Sequence, residues 1–143
     1  MKFLAILFFL ILNGFLFSQE KVNWTINYNE KDKNIEVVGD ISEGWHLYSQ
    51  NINPEIGPIP TQFKFVENKL VEIQGEMNEG TPIEKFDENF EAKLTFFEGK
   101  SVFKQKINLK ASTILDLQVT FMVCNDVMCL PPVEKQLSIE LKK

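Results

Sequence analysis

Arginine is missing from this 143-residue chain, histidine occurs once and cysteine only twice. Each shortage closes off a class of function. Twenty acidic residues against fifteen basic ones give a net charge of −5, and an acidic chain without arginine is a poor match for nucleic acid or anionic lipid, so no nucleic-acid partner is expected. Two cysteines cannot staple a mini-protein, so the fold must rest on a hydrophobic core, which thirteen phenylalanines help to supply. A tetrahedral zinc site wants four Cys/His ligands, and carboxylates would have to complete it here. The lone His46 has no G-x-S-x-G elbow to accompany it, and glycine-rich phosphate cradles are absent. Hydrolase-triad and nucleotide chemistry are thereby set aside.

Long apolar runs are confined to the start of the chain. MKFLAILFFLILNGFLFS has Lys2, an apolar run from Phe3 to Leu12, and the small Ser18 before Gln19. That is the order of a secretory signal peptide, with an apolar core short for a membrane span. Residues 1–18 are expected to be removed on export, leaving one domain over residues 19–143. An uncleaved anchor is the alternative, since only Asn13-Gly14 interrupts the run. No second stretch of spanning length follows, so no membrane span is expected in the mature chain. Loss of Lys2 with the leader takes the net charge from −5 to −6. Export also places the cysteines in an oxidising compartment, where a disulfide persists.

The remainder reads as short strands with turn signals between them. Val22 to Tyr28 and Ile35 to Ile41 form a hairpin pair around a polar turn. In Gly44 to Gln50, alternation puts Trp45 and Leu47 on one face and His46 and Tyr48 on the other. For His46 two readings stand: a partly exposed, hydrogen-bonded strand residue, or a neighbour that tunes the cysteines. Asn51 to Thr61, with three prolines, is an extended crossover. Gln62 to Val66 and Leu70 to Ile73 are short strands. Gly75 to Asn89 reads as a polar loop in which Phe86, and Phe90 just beyond it, either tuck into the core or cover something. Ala92–Phe97 and Ser101–Leu109 make a hairpin, Leu117–Cys124 a further strand, and Leu137, Ile139 and Leu141 a last one. No helix-period stretch follows the leader. Eight or nine strands indicate an all-β, immunoglobulin-like β-sandwich.

Both cysteines lie in VTFMVCNDVMCLPP, Val119 to Pro132. Val119, Phe121 and Val123 alternate with Thr120, Met122 and Cys124, the pattern of a strand buried on one face. Asn125-Asp126 suits a turn, and Pro131-Pro132 interrupts the ladder beyond it. A bridge between Cys124 and Cys129 across an antiparallel pair fits the geometry a disulfide needs. As a staple it is poor: closing about six residues is worth roughly 2 kcal/mol in the chain-entropy model, against nearly 5 for a hundred. Three readings of the stretch stand at this point. One is a structural clip in a non-catalytic immunoglobulin-like envelope or binding module. Another is a Cu(I) site on Met122, Cys124, Met128 and Cys129. The third is thiol–disulfide exchange, which asks only for two cysteines in reach of each other and access for a partner's sulfur. No lysine, arginine or helix N-terminus stands near in sequence to lower a thiolate pKa, and Asp126 would raise it. The exchange reading therefore has the partner's thiolate as attacker.

The leader, GWHLYSQ, the DENF stretch and VTFMVCNDVMCLPP, in this order, resemble the N-terminal periplasmic domain of the thiol:disulfide interchange protein DsbD. The likeness runs over essentially the whole mature chain. It implies an immunoglobulin-like sandwich with a redox-active cysteine hairpin, without cofactor or metal. It also implies a periplasmic relay of reducing equivalents, from a thioredoxin-like electron donor to periplasmic disulfide oxidoreductases as acceptors. By position Cys129 matches the cysteine that forms mixed disulfides and Cys124 the one that resolves them. Phe90 falls on the aromatic of a cap loop, Glu88 and Asn89 on its acidic neighbours, and His46 and Tyr48 on two tyrosines lining the site. The chain ends at Lys143 without the membrane and thioredoxin-like domains that follow in the family, so the donor is expected on a separate chain.

Overall fold

The computed structural model describes residues 20–143, and the predicted signal peptide lies outside them. Eleven strands and no helix are found among the described residues. They are β1 (Val22–Asn29), β2 (Asn34–Ile41), β3 (His46–Tyr48), β4 (Gln62–Phe65), β5 (Val71–Asn78), β6 (Ile83–Asp87), β7 (Ala92–Glu98), β8 (Lys100–Leu109), β9 (Thr113–Phe121), β10 (Val123–Cys124) and β11 (Val133–Leu141). Every pairing is antiparallel, in sheets ordered β1-β2-β8-β5, β10-β3-β7-β6 and β11-β9-β4. The result is the all-β, immunoglobulin-like sandwich that the patterning predicts.

Alternation decides which side chains go inside. Along β8, Phe103, Gln105, Ile107 and Leu109 are buried while Lys104, Lys106 and Asn108 face out. With Val22, Trp24, Ile35, Val37, Leu115, Leu117, Val119 and Leu141, the apolar three, Phe103, Ile107 and Leu109, build the main core. Aromatic rings organise its centre: Trp24 lies 5.3 Å from Phe121 and 6.1 Å from Phe103, and Phe63 lies 4.6 Å from Phe103. Trp24 stands opposite Gly39 across β1 and β2. A methyl group at Gly39 would come within 2.7 Å of Ser101 Oγ and 3.1 Å of the indole, so only glycine leaves room for the ring.

A smaller second cluster holds Tyr48, Ile52, Leu94, Phe96 and Cys124, with Phe90, Ala92, Met122 and Cys129 packed against it. The sheet β10-β3-β7-β6 separates the two. Its Leu47, Phe97 and Val123 enter the main core, while Tyr48, Phe96 and Cys124 enter the second cluster. Period-2 alternation thus divides scaffold from site within three short strands.

Two expectations need correction. The stretch ending at Cys124 is not one strand, because the ladder breaks at Met122: β9 pairs with β11 and β4, whereas β10 pairs with β3 in another sheet. The supposed polar loop from Gly75 to Asn89 is largely strand, since β5 runs on to Asn78 and β6 follows. A register shift between Gln74 and Asn78 interrupts the ladder there, and the buried Gln105 Nε2 donates to the Gln74 and Gly75 carbonyls at 2.9 and 3.3 Å. Polar composition concealed β6 because it is an edge strand, paired on one side with β7, exposed along most of its length and needing no apolar face.

Phe103→Ala, which empties the space between Trp24, Phe63 and Phe97, is expected to cost about 3–5 kcal/mol. Urea unfolding of the disulfide-intact protein measures this, and a loss below about 1 kcal/mol would show that the ring cluster does not carry the core.

Candidate functional site

Cys124 and Cys129 form a disulfide with their Cα atoms 4.0 Å apart. The backbone explains the spacing. Asn125 N donates to the Met128 carbonyl at 2.9 Å and Leu130 N to the Val123 carbonyl at 3.0 Å, which makes the cysteines a non-hydrogen-bonded antiparallel pair, the narrower of the two kinds. The loop between them is shaped by Asn125, whose Oδ1 accepts from Val127 N at 2.9 Å and Met128 N at 2.8 Å. Its tip is exposed, with Val127 85% accessible. Cys124 is fully buried and Cys129 half-buried. The surface turn foreseen from sequence therefore shelters one sulfur and leaves the other nearer the solvent.

A second turn lies beside the first. β6 and β7 are joined by Glu88, Asn89, Phe90 and Glu91, with Glu91 in the left-handed region at φ 51°. Asp87, the last residue of β6, shapes this turn as Asn125 shapes the other: its Oδ1 accepts from Asn89 N at 2.9 Å and Phe90 N at 3.2 Å. The turn carries Phe90 inward against Tyr48, ring centroids 6.0 Å apart, in the cluster that holds Cys124 and Cys129. Phe86 stays 54% exposed on β6. Of the two aromatics, Phe90 covers the cluster and Phe86 does not. Asn89 Nδ2 donates to the Asn125 carbonyl at 2.8 Å, fastening one turn to the other.

Beneath the turns lies a buried polar group. Asp87 Oδ2 accepts from the Tyr48 hydroxyl at 2.6 Å and stands 3.2 Å from His46 Nε2, which is itself 3.0 Å from the Tyr48 oxygen. Burial first, and then the hydrogen bond and charge of Asp87, push the Tyr48 phenol far above the usual tyrosine range, so it stays neutral. His46 is buried, not half-exposed as the blander sequence reading had it, and stacks on Phe96 with centroids 4.4 Å apart. It pairs directly across the strands with Cys124.

All seven residues singled out from sequence gather on this face. Cys124, Cys129, Phe90 and Tyr48 meet in the cluster, His46 and Asn89 bond to its surroundings, and the exposed Glu88 lines a cleft of about 400 Å³ between the turns, with Asp126 across from it. Neither cysteine lines that cleft; Cys124 is sunk in the cluster and Cys129 packs against it, half-buried. The residue that sequence reasoning passed over is Asp87, which looked like one charge in an acidic run. Its signal was there: an acid two and three residues ahead of Asn89-Phe90 has the spacing of a turn-forming side chain.

No curated protein matches the chain in sequence. Among solved structures, the DsbD N-terminal domain of Neisseria meningitidis in its reduced form superposes with a TM-score of 0.62 at 18% identity, over 86% of this chain and 87% of that one. The same organism's DsbD N-terminal domain in complex with the PilB N-terminal domain gives 0.62 at 17% identity, over 88% of each chain. The N-terminal periplasmic domain of ScsB from Proteus mirabilis gives 0.52 at 16% identity, over 83% of this chain and 45% of that one. These likenesses concern the fold. In sequence, the family model for "Thiol:disulfide interchange protein DsbD, N-terminal" matches residues 15–141, a span that takes in the paired cysteines, the turn above them and the buried group below, and the chain belongs to that family.

Proposed function

We propose that this protein is a periplasmic thiol–disulfide interchange module that relays reducing equivalents through Cys124 and Cys129. On this reading residues 1–18 direct export and residues 19–143 are the working domain. A thioredoxin-like donor on a separate chain reduces the pair, and periplasmic disulfide oxidoreductases draw on it. The N-terminal DsbD domain seen in complex with the PilB N-terminal domain supports a separate-chain partner.

One observation carries the reading: a disulfide that closes very little chain shares its apolar cluster with the aromatic of a neighbouring turn, with one cysteine sunk and the other nearer the surface. A clip worth about 2 kcal/mol needs no lid. An exchanging pair does, because a reduced pair in an oxidising space is open to stray oxidants until a partner displaces the cover.

The burial difference supports one order for the chemistry. A donor thiolate attacks Sγ of Cys129, the S–S bond breaks, and its electron pair leaves on Sγ of Cys124. The donor's second thiolate then attacks the donor sulfur of the mixed disulfide and releases Cys129. Two electrons have entered, and the same steps reversed pass them to an acceptor. Cys129 acts as the exchanging cysteine and Cys124 as the resolving one. Phe90 is the lid, and Glu88 and Asn89 sit on its rim.

Two experiments test this. Cys124→Ser is expected to accumulate a mixed disulfide between Cys129 and a thioredoxin-like protein, and the wild-type pair to have a potential above about −300 mV. A lower potential with no trapped species would leave the clip as the function. Phe90→Ala is expected to speed oxidation of the reduced pair by hydrogen peroxide several-fold. The same rate as wild type would take the lid role from Phe90.

A further inference from the structure

Opening the disulfide leaves the electron pair on Cys124, whose residue is fully buried among apolar side chains. A thiolate there is disfavoured, so a proton has to arrive as the bond opens and depart before it recloses. The groups around the sulfur can be weighed one by one. Tyr48 holds its proton too firmly, and its hydroxyl is already donated to Asp87. Asp87 has four neighbours on its two oxygens, namely Asn89 N, Phe90 N, the Tyr48 hydroxyl and His46 Nε2, which fills the acceptor sites of a carboxylate. Glu98 stands opposite His46 on β7 but is half-exposed and 3.4 Å from Lys85. Glu88 and Asp126 are exposed at the cleft mouth.

His46 is left. It is the direct cross-strand partner of Cys124, and facing residues on an antiparallel pair point to the same side with Cβ atoms about 4.5–5.5 Å apart. Because the Tyr48 hydroxyl donates to Asp87, Nε2 is the nitrogen that carries hydrogen toward the same carboxylate. Nδ1 is then the basic atom of the neutral ring, held in one orientation by Asp87 below and by the Phe96 stack beside it.

We propose that His46 is the proton carrier for Cys124, through Nδ1. As a donor thiolate opens the bond, the imidazolium gives its Nδ1 proton to the Cys124 thiolate and becomes neutral. When electrons leave, neutral Nδ1 takes the proton back, and the Cys124 thiolate attacks Sγ of Cys129 in the mixed disulfide, closing the bond and releasing the acceptor's thiolate. Asp87 is a positioning residue, fixing the tautomer. The assignment rests on the exchange reading and adds to it the group that makes a buried resolving cysteine workable.

The resolving step is isolated by treating the reduced mature protein with 5,5′-dithiobis(2-nitrobenzoate): a first thionitrobenzoate is released as the reagent caps Cys129, and a second as Cys124 displaces the cap. In wild type the second rate is expected to level off at a pH below the thiol range, because neutral Nδ1 takes the proton. In His46→Gln it is expected to fall on the order of 10²-fold at neutral pH and to climb with pH through the thiol range instead. A folded His46→Gln protein with the wild-type pH profile overturns the assignment. Should that variant not fold, the native ring decides. His46 is the only histidine, so its ring proton signals are unambiguous, and their titration is expected to differ between reduced wild type and Cys124→Ser. Identical titrations would overturn the proposal. A wild-type protein whose second release never comes speaks against exchange itself, whereas normal wild-type release with an unaltered variant profile removes His46 alone.

Discussion

The site hangs on one carboxylate. Asp87 is buried, which in isolation is costly, and the cost is offset because both of its oxygens are fully engaged. One oxygen receives two backbone N–H groups and so sets the turn that carries Phe90. The other receives Tyr48 and His46 and so sets the floor under the disulfide. Turn and floor are held by the same group, and neither can be rearranged without disturbing the other. Low local dielectric strengthens such a network when it is complete and penalises it when a member is missing.

The scaffold supplies the positions that this carboxylate joins. Asp87 reaches the floor because β6 is the outer strand of the sheet in which β3 and β10 lie, with β7 between. The same sheet faces two ways, offering Leu47, Phe97 and Val123 to the main core and Tyr48, Phe96 and Cys124 to the site. A one-residue slip of β3 would exchange those sets, driving His46 and Tyr48 into an apolar interior. Burial of Leu47 therefore fixes the register on which the pairing of His46 with Cys124 depends.

Much of this was written in the pattern of residues. Strict alternation in Val22–Tyr28, around His46 and along the last strand announced both the strands and the faces they present, and the spacing of the cysteines suggested their pairing. The features that escaped were those for which the apolar pattern is silent. β6 has no hydrophobic period because water covers most of it, and the break at Met122 leaves alternation intact while the hydrogen-bond partners change sheet. Asp87 escaped for a related reason: in a charged run one acid looks like another, and only the tertiary approach of β3 marks it as buried. The resemblance to a known family pointed to Cys124, Cys129 and the aromatic turn, which lie on one face, and to Glu88 and Asn89 at the family's acidic positions, but not to Asp87, which shapes that turn.

The two backbone hydrogen bonds that flank the cysteine pair have a consequence for how it cycles. Asn125 N to Met128 O and Leu130 N to Val123 O are made by the main chain, and β10 is held independently by β3, so none of these restraints requires sulfur to be bonded to sulfur. Cutting the bridge removes none of these hydrogen bonds, which continue to hold its two halves side by side. Each thiol then meets the other at an effective concentration far above that of any free competitor. On the proposed function, a mixed disulfide formed at this hairpin is consequently brief: the neighbour already waiting ends it, and the partner departs as soon as its electrons have changed hands.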